Sequence, residues 1–407
     1  MKPASAPEKR PAMAWASAIG LGSRIDAAIA EAAEQVVGER GALEPDVAIA
    51  FVSAAYGSAI EKLPQLLRPH VGDCLVVACN AGGLIGGGSE EEDEPGVALL
   101  CGRLPDAALA CIHLDQSTLP ALTAPREAWW RQLDLGPESG ASFILIADPA
   151  TFDAEACARG IDRAYPGSTV VGGLTSGVLE AGASRLLTNG QVHHTGGLLL
   201  ALSGNVAIDS VLAQGCRAVG DPLFVTACEG NLISELDGRR PKEILTALFT
   251  TLDEADRDRF GDALCIGMAL PGPRQTVGAG DFLMRNVLGL DPDTGALWVG
   301  ARVTPNAIVQ FHLRDGRAAS DELEERLAFA LSGGIAPTAA LLFACVGRGR
   351  NLFGVSGHDS GTLRRMIDIP VAGMFSAGEI APVQGATFVH GYSSVFGLIR
   401  PRAGAAG

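Results

Sequence analysis

The sequence predicts a mixed α/β fold of two related halves, each built from a mixed parallel and antiparallel sheet layered with helices. The first observation is a phrase that occurs three times: an apolar strand, a helix, a second apolar strand and a turn of small residues. The second is a set of β-rich runs joined by short turns between these copies, which favours antiparallel pairing. The 407 residues are enough for two or three domains at ~150 residues each.

We expect residues 1–20 to form a flexible N-terminus. A short apolar run within this segment resembles the hydrophobic region of a signal peptide only weakly, which favours a cytoplasmic protein. Apolar side chains then recur at helical spacing between Leu21 and Val36. Ser23 and Asp26 are spaced to cap this helix.

The first copy of the phrase has predicted strands at 46–52 and 74–79, with a helix near 57–67 between them. The second strand leads into the glycine-rich stretch 80–88, where the backbone must turn tightly. An acidic run, Glu90–Glu94, follows, and we expect it to be a solvated loop.

The second and third copies have the same order of elements. The second is predicted as strand 142–147, helix 153–164, strand 169–171 and turn 172–177. The third is predicted as strand 340–345, a helix near 361–367, and a second strand with its turn over 370–378.

The segments between the copies have other patterns. Four β-rich runs between 196 and 236 predict an antiparallel meander, and the charged stretch 253–262 is the best candidate for a domain boundary or surface loop. The remaining predicted elements are helices at 241–252 and 320–331 and strands at 263–268, 282–287, 307–312 and 392–399.

Composition excludes several classes of protein. With 47% hydrophobic and 19% charged residues, the chain is too apolar for intrinsic disorder and too often interrupted by charge for a membrane protein. A net charge of −15 repels a phosphate backbone and an anionic membrane, so we expect no nucleic-acid partner and no membrane partner. Nine cysteines, an odd number without C-x-x-C spacing, fit a reducing compartment.

Motifs that specify chemistry are rare in this sequence. It lacks a P-loop and an H-E-x-x-H zinc motif, and G-x-x-S-G at Gly173–Gly177 is out of register with a nucleophile elbow. The sequence Gly347-Arg348-Gly349 could hold an anion with backbone N–H groups, although a tight turn is the simpler interpretation. We expect no metal site and no catalytic residue.

Ionisable and polar residues are concentrated in apolar surroundings of the second half. Such groups need partners, because an unpaired buried charge costs several kcal/mol, roughly. They could pair with one another as structural bridges, for example Glu379 with an arginine, or Asp315 with Arg314 or Arg317. They could instead line a pocket whose ligand supplies the missing partners. The candidate ligand-binding residues are Arg285, Asn286, His312, Arg314, Cys345, Arg348, Gly349, Glu379 and His390.

Several phrases of the sequence resemble the FIST family. Phrases at 80–86, 170–173 and 213–220 are similar to the FIST N-terminal domain, and those at 281–286, 311–315, 342–349 and 373–382 are similar to its C-terminal partner. The resemblance covers about Asp46 to Arg400. It implies a FIST N-terminal domain at 21–230 and a FIST C-terminal domain at 231–402.

The resemblance implies a sensory protein that binds a small, amino-acid-like ligand and signals through a separate partner protein, without an enzymatic activity. No cofactor is required by this interpretation. Some bacterial relatives bind haem and report nitric oxide to a partner kinase, and His312, His390 and Cys345 would then be the candidate axial ligands.

The residues are also consistent with two other functions. An enzyme could use Glu379, His390 and Cys345 as acid, base or nucleophile, with Arg348 or His390 lowering the pKa of the thiol. An interaction scaffold without a small ligand would instead present a large exposed apolar patch. The sequence leaves the ligand, the output partner and the oligomeric state open.

Overall fold

The computed structural model describes residues 12–40, 44–178, 180–270, 278 and 280–402. These residues form three mixed sheets and a closed barrel, with helices packed against the sheets. The mixed α and β fold expected from the sequence is confirmed. In the described part of the chain, no helix is long and apolar enough to cross a bilayer.

The first structural unit runs from β1 to β6. Its elements are β1 (Ala14–Leu21), α1 (Ile25–Arg40), β2 (Val47–Ser53), α2 (Leu63–Val71), β3 (Leu75–Ala81), β4 (Gly83–Gly86), β5 (Ser89–Glu91) and β6 (Gly96–Arg103).

The second unit repeats this order. Its elements are β7 (Ala107–Leu114), α3 (Arg126–Leu133), β8 (Ser142–Ala147), α4 (Ala154–Ala164), β9 (Val170–Leu174), β10 (Leu186–Thr188), β11 (Gln191–His193) and β12 (Gly197–Gly204).

The third unit begins with β13 (Ala207–Ala213) and is then interrupted by the barrel and three helices. The inserted elements are β14 (Cys216–Glu229), β15 (Leu232–Leu236), α5 (Pro241–Thr251), α6 (Glu254–Ala263), β16 (Leu264–Ala269), β17 (Phe282–Leu290), β18 (Leu297–Val299), β19 (Ile308–Arg314) and α7 (Gly316–Leu331). The unit resumes with β20 (Ala339–Cys345), α8 (Arg350–Phe353), α9 (His358–Met366), β21 (Val371–Ser376), β22 (Glu379–Val383), β23 (Ala386–His390) and β24 (Ser394–Arg400).

All three sheets have the same arrangement of strands. The orders are β1-β6-β2-β3-β10-β11, β7-β12-β8-β9-β22-β23 and β13-β24-β20-β21-β4-β5. In each, an antiparallel pair adjoins a parallel pair, β2–β3, β8–β9 or β20–β21, and a hairpin from another unit completes the sheet. Each copy of the phrase recognised in the sequence therefore supplies the parallel pair of one sheet, and the repeat relates three units.

Two glycines show why small residues recur in this phrase. A Cβ atom at Gly172 of β9 would lie 1.8 Å from the carbonyl oxygen of Leu145, and a Cβ at Gly373 of β21 would lie 1.8 Å from that of Leu342. Each glycine is paired in register with that same leucine of the neighbouring parallel strand. Close backbone approach in the second and third units therefore requires glycine at the same place.

The three sheets enclose a shared apolar core. Ile49 and Phe51 of β2, Ile146 of β8 and Phe343 of β20 all belong to it, and the rings of Phe51 and Phe343 pack edge to face with centroids 6.0 Å apart. Helices cover the opposite faces: α1 and α2 the first sheet, α3 and α4 the second, α7 and α9 the third. The barrel has its own core of aliphatic and aromatic side chains.

Three expectations from the sequence are corrected. The segment before Leu21 is not a flexible N-terminus where it is described, because β1 pairs along its whole length with β6; residues 1–11 lie outside the described part. The runs between 196 and 236 are strands but not a meander, because β12, β13 and β14 belong to different sheets. The charged stretch 253–262 is largely α6, which Asp253 caps by accepting a hydrogen bond from the backbone N–H of Asp256 at 2.8 Å.

Candidate functional site

The candidate site lies at the ends of the parallel strands of the third sheet, beneath the barrel. Strands β20 and β21 end at Cys345 and Ser376, which are paired in register. Glu379 and His390 face one another across β22 and β23. We call the buried residues gathered here the polar cluster: Cys345, Arg348, Asp359, Ser376, Glu379, His390 and Ser393.

Glu379 is completely buried and is held by hydroxyl and amide donors. Its Oε1 accepts a hydrogen bond from Ser376 Oγ at 2.7 Å, and its Oε2 accepts from Ser393 Oγ at 2.7 Å and from the Ser393 backbone N–H at 3.2 Å. Among the described residues no cation lies within ion-pair distance of this carboxyl, so it is not paired with an arginine as the structural-bridge interpretation expected. Burial raises the pKa of Glu379 to about 8, against the opposing effect of these hydrogen bonds.

His390 is buried with one satisfied ring nitrogen. Its Nε2 lies 3.0 Å from the carbonyl oxygen of Ala381, and since a carbonyl only accepts, Nε2 carries the proton. Nδ1 is therefore an acceptor, and no hydrogen-bond partner for it is present among the described residues. Burial lowers the pKa of His390 to about 4, and the nearby charge of Arg285 adds to this effect. The ring is neutral at physiological pH.

Arg348 and Asp359 form a buried ion pair with two contacts. Arg348 Nε donates to Asp359 Oδ2 at 2.6 Å and Nη2 donates to Oδ1 at 3.0 Å, while the guanidinium lies over the Phe353 ring at 5.3 Å. The charge of Arg348 and the hydrogen bond from His358 hold the pKa of Asp359 well below its usual range despite burial. Arg348 Nη1 is buried without a hydrogen-bond partner in the described part of the chain.

Cys345 is a protonated thiol in this setting. Burial, together with the charge of Glu379, raises the pKa of Cys345 to about 12. Nucleophilic cysteine chemistry requires the thiolate. The environment therefore opposes the reactive cysteine that the enzyme hypothesis needs.

Arg314 and Tyr392 cover the polar cluster from the barrel side. The Arg314 guanidinium, at the end of β19, lies 5.0 Å from the centre of the Tyr392 ring and donates a hydrogen bond to the carbonyl oxygen of Gly347. A Cβ placed on Gly347 would lie 3.1 Å from Arg314 Nη2 and 3.7 Å from Cys345 Sγ. The guanidinium of Arg314 therefore contacts the turn that follows Cys345.

His312 belongs to the barrel wall next to this cover. It is buried, its Nδ1 lies 3.0 Å from the carbonyl oxygen of Gln310, and its ring packs edge-on against Phe282 with centroids 5.4 Å apart. Burial lowers the pKa of His312. Tyr392 packs against the same apolar group as Phe282, so His312 adjoins the cluster without a hydrogen bond to it.

The structure does not bring the other predicted residues into the cluster. Asn286 is exposed on β17, because side chains alternate along a strand and the neighbouring Arg285 takes the more buried side. Arg285 lies 3.6 Å from the carboxylate of Glu155 of α4. The expected pairing of Asp315 with Arg314 or Arg317 is also wrong, since Asp315 pairs with Arg217 and Arg259.

Gly349 lies against an anion that the protein itself supplies. The Glu92 carboxylate accepts from the backbone N–H of Arg350 at 3.0 and 3.3 Å, and a Cβ on Gly349 (φ +56°) would lie 2.4 Å from Glu92 Oε1. Glu90 is buried and accepts from the backbone N–H groups of Gly357 at 3.1 Å and Ser360 at 2.7 Å. The acidic run is therefore not a solvated loop as expected. Its carboxylates occupy the turns at the start of α8 and α9.

Sequence reasoning missed the serines and the aspartate that hold the cluster together. Ser376 and Ser393 are common residues in turns, and nothing local distinguishes them from other serines. Asp359 had a weak signal, since a buried arginine requires an acidic partner and Asp359 lies two residues before the predicted helix 361–367, in the first turn of α9.

A cavity of about 740 Å³ lies beside the third unit, between β13, the end of α7 and the β22–β23 hairpin. None of the nine predicted residues lines it. The candidate axial ligands His312, His390 and Cys345 are buried and do not line this cavity, so the cavity does not offer these ligands to a haem. In the same part of the chain, no group of three or more His, Cys, Asp or Glu residues is arranged to hold a metal ion.

Comparison with known proteins gives a match over most of the chain. The FIST N domain matches residues 46–239 and the FIST C domain matches residues 242–382. Uncharacterized protein Rv0628c of Mycobacterium tuberculosis (strain ATCC 25618 / H37Rv) is 34% identical over 375 residues, covering 91% of this chain and 95% of that protein. Uncharacterized protein Mb0898c of Mycobacterium bovis is 33% identical over 377 residues, with the same coverage of 91% and 95%.

Among solved structures, a crystal structure of cyanuric acid hydrolase from A. caulinodans covers 96% of this chain and all of its own at 12% identity. Its TM-score is 0.34, which supports no conclusion about fold or function.

Proposed function

The chain belongs to the FIST family, and we propose that it is a cytoplasmic sensor that binds a small, amino-acid-like molecule in the polar cluster and signals through a separate protein. FIST domains are generally sensory, small-ligand-binding domains of signal transduction. In this chain, the polar cluster is the candidate binding site, because it contains buried hydrogen-bonding groups without a partner in the part of the chain that the structure describes.

The observation that carries the proposal is the incomplete pairing inside the cluster. Among the described residues, His390 Nδ1 lacks a donor, Arg348 Nη1 lacks an acceptor, and Glu379 has no cation beside it. A buried polar group left unsatisfied costs about 1–3 kcal/mol. A molecule that satisfies these groups would recover that energy, which gives a physical reason for ligand binding here.

The chemistry of the three groups is complementary to an amino acid. A carboxylate would accept a hydrogen bond from Arg348 Nη1, and an ammonium would donate to Glu379 and to His390 Nδ1. An ammonium beside Glu379 would also favour the ionised carboxylate and so lower its raised pKa. Binding of an amino acid should therefore release a proton from the protein near neutral pH.

Signalling follows from the closed arrangement of the site. Arg314 of the barrel contacts Tyr392 and Gly347 of the third unit beside the cluster, and we infer that ligand entry displaces this contact. A ligand changes a conformational equilibrium only when it binds one state better than another. A barrel displaced from Gly347 and Tyr392 in the bound state would present a different surface to a partner.

The test is a thermal-shift screen of the purified chain against the amino acids, with nucleotides and haemin as competing ligand classes. At a ligand concentration of 100 times Kd, binding adds about 2.7 kcal/mol, which raises Tm by several degrees. We expect a shift with at least one amino acid, its loss in His390→Phe and its retention in the exposed-site control Asn286→Ala. A screen without any amino-acid response, or a response that His390→Phe leaves unchanged, contradicts the proposal. A Soret band would instead assign the chain to haem.

A further inference from the structure

A second set of polar side chains lies on the outer side of the Arg348–Asp359 pair. Ser320 Oγ of α7 is 3.0 Å from Nε2 of His358, and Nδ1 of His358 is 2.9 Å from Oδ1 of Asp359. Serine hydroxyl to Nε2 and Nδ1 to a buried carboxylate is the connectivity of a nucleophilic Ser-His-Asp triad, which is recognised by geometry and not by chain order. We propose that Ser320, His358 and Asp359 form a site for acyl transfer from small activated esters.

The connectivity fixes the tautomer of the neutral imidazole. Asp359 is ionised, because the charge of Arg348 and its hydrogen bonds hold its pKa low, and a carboxylate only accepts. Nδ1 of His358 therefore carries the proton and donates to Asp359 Oδ1. Nε2 is left with a free lone pair that faces the Ser320 hydroxyl. This is the tautomer in which a histidine acts as a general base toward serine.

The ring of His358 is also held in position by packing. It stacks on Phe353 of α8, with centroids 3.5 Å apart and planes within 10°. Its side chain is 16% exposed, and Ser320 is partly buried. A small substrate could reach both catalytic groups from solvent, while Asp359, only 2% exposed, acts as a positioning residue behind them.

Arg348 restricts the class of substrate. Its positive charge neutralises part of the Asp359 charge, so Asp359 stabilises an imidazolium on His358 less than an aspartate without such a neighbour would. The site is therefore suited to esters with a good leaving group, such as aryl acetates, and not to amides. This inference goes beyond the proposed sensor function and does not depend on it.

The reaction balances with water as the second reactant. Ser320 Oγ attacks the carbonyl carbon, its proton passes to His358 Nε2, and the departing phenol takes that proton as the ester bond breaks. Water then attacks the acyl-serine and transfers a proton to His358 Nε2. Collapse of the intermediate releases the carboxylic acid, and the proton on Nε2 returns to Ser320.

The test uses the full chain and p-nitrophenyl acetate as the probe. We measure p-nitrophenol release and locate the acetyl group by peptide mass spectrometry. We expect one acetyl group on Ser320, no acetylation at this position in Ser320→Ala, and a rate at least about 100-fold lower in His358→Gln. Ser332→Ala is the matched control, because Ser332 follows α7 and its hydroxyl donates to Phe329 O at 2.7 Å, away from the imidazole.

The pH profile separates catalysis from a structural hydrogen bond. A general base acts only in its unprotonated form, so the acylation rate of the native chain should rise with pH, and this rise should be absent in His358→Gln. Acetylation confined to lysines or the N-terminus, or a Ser320→Ala variant that releases p-nitrophenol at the native rate, overturns the proposal. Amino-acid responses in the thermal-shift screen should be unchanged in Ser320→Ala, so the two proposals can fail separately.

Discussion

Acidic groups lie at two places around the third unit: at its contact with the first unit and, within the third unit itself, on the side of the barrel. The two places differ in how completely these groups are paired. Toward the first unit, Glu90 and Glu92 accept backbone N–H groups of the α8–α9 region, and Asp93 forms an ion pair with Arg350. Toward the barrel, Glu379 has only neutral donors, and two nitrogen atoms of the polar cluster have no partner among the described residues.

This difference separates a structural contact from a candidate binding site. The carboxylates of Glu90, Glu92 and Asp93 are paired with backbone N–H groups and Arg350 of the protein itself. This acidic segment therefore gives no indication of a ligand site. The polar cluster retains unused donors and acceptors at full burial, which is costly unless something else satisfies them. Substitutions at Asp359, Glu379 and Glu90 test this contrast, and we expect the largest effect at Asp359.

Removing Asp359 should cost the most stability. Asp359→Ala leaves Arg348 buried without its carboxylate, and loss of one partner of a buried ion pair costs about 3–5 kcal/mol. Urea unfolding followed by circular dichroism gives the change. The matched variant is Asp93→Ala, which breaks the exposed ion pair with Arg350 and should cost about 0–1 kcal/mol. Similar losses in both variants would remove the distinction between the buried pair and the exposed one.

Glu379 should make stability fall as pH rises. Its folded-state pKa of about 8 lies above the ordinary value of 4.5, so its contribution is complete below about pH 4.5 and is lost as pH approaches 8. Because a tenfold change in an ionisation equilibrium corresponds to about 1.4 kcal/mol, the free energy of unfolding should fall by a few kcal/mol across this pH range.

Glu379→Gln should remove this slope. The amide oxygen can accept from Ser393, and the amide nitrogen can donate to Ser376, whose hydroxyl can still donate to the carbonyl oxygen of Ala344 at 3.3 Å. The measurement is the free energy of unfolding at pH 5 and pH 8. Glu94→Gln, at an exposed position, should keep the native slope. An unchanged slope in Glu379→Gln would show that this carboxyl is ionised in the folded protein.

Glu90 should have a smaller effect than Asp359. Glu90→Ala leaves two backbone N–H groups at the start of α9 without their acceptor, and an unsatisfied buried donor costs about 1–3 kcal/mol. Hydrogen exchange of the Gly357 and Ser360 amides should become faster in the variant, while Glu94→Ala should leave it unchanged. Unaltered exchange would mean that the acidic segment does not hold α9.

The sequence predicted the parallel strands well because their signal is local. Strands such as β8 and β20 are buried on both faces and appear as continuous apolar runs of five or more residues. The sheet membership of the hairpins could not be predicted this way. β4, β10 and β22 each pair with a strand of a different unit, and such pairing is set by packing between distant segments.

For the candidate site, the sequence indicated which buried polar residues to consider but not the direction of each side chain. Four of the residues singled out lie together in the structure: Cys345, Arg348, Glu379 and His390. They could be singled out because each is a polar or ionisable residue in an apolar or glycine-rich stretch. The sequence around Asn286 does not alternate between apolar and polar residues, so it does not indicate which face of the strand is buried. Asn286 was therefore predicted on the buried face, although it is exposed. Hydroxyl partners such as Ser376 have no signal in a single sequence.

Each sheet is completed by a hairpin from another unit, and this arrangement constrains folding during synthesis. The sheet of the second unit is completed by β22 and β23, which follow β9 by roughly two hundred residues and so leave the ribosome long after it. Until then β9 has an open edge with unpaired backbone groups, a surface prone to aggregation. High contact order of this kind slows folding, so synthesis of this protein should benefit from a chaperone that shields the nascent sheet.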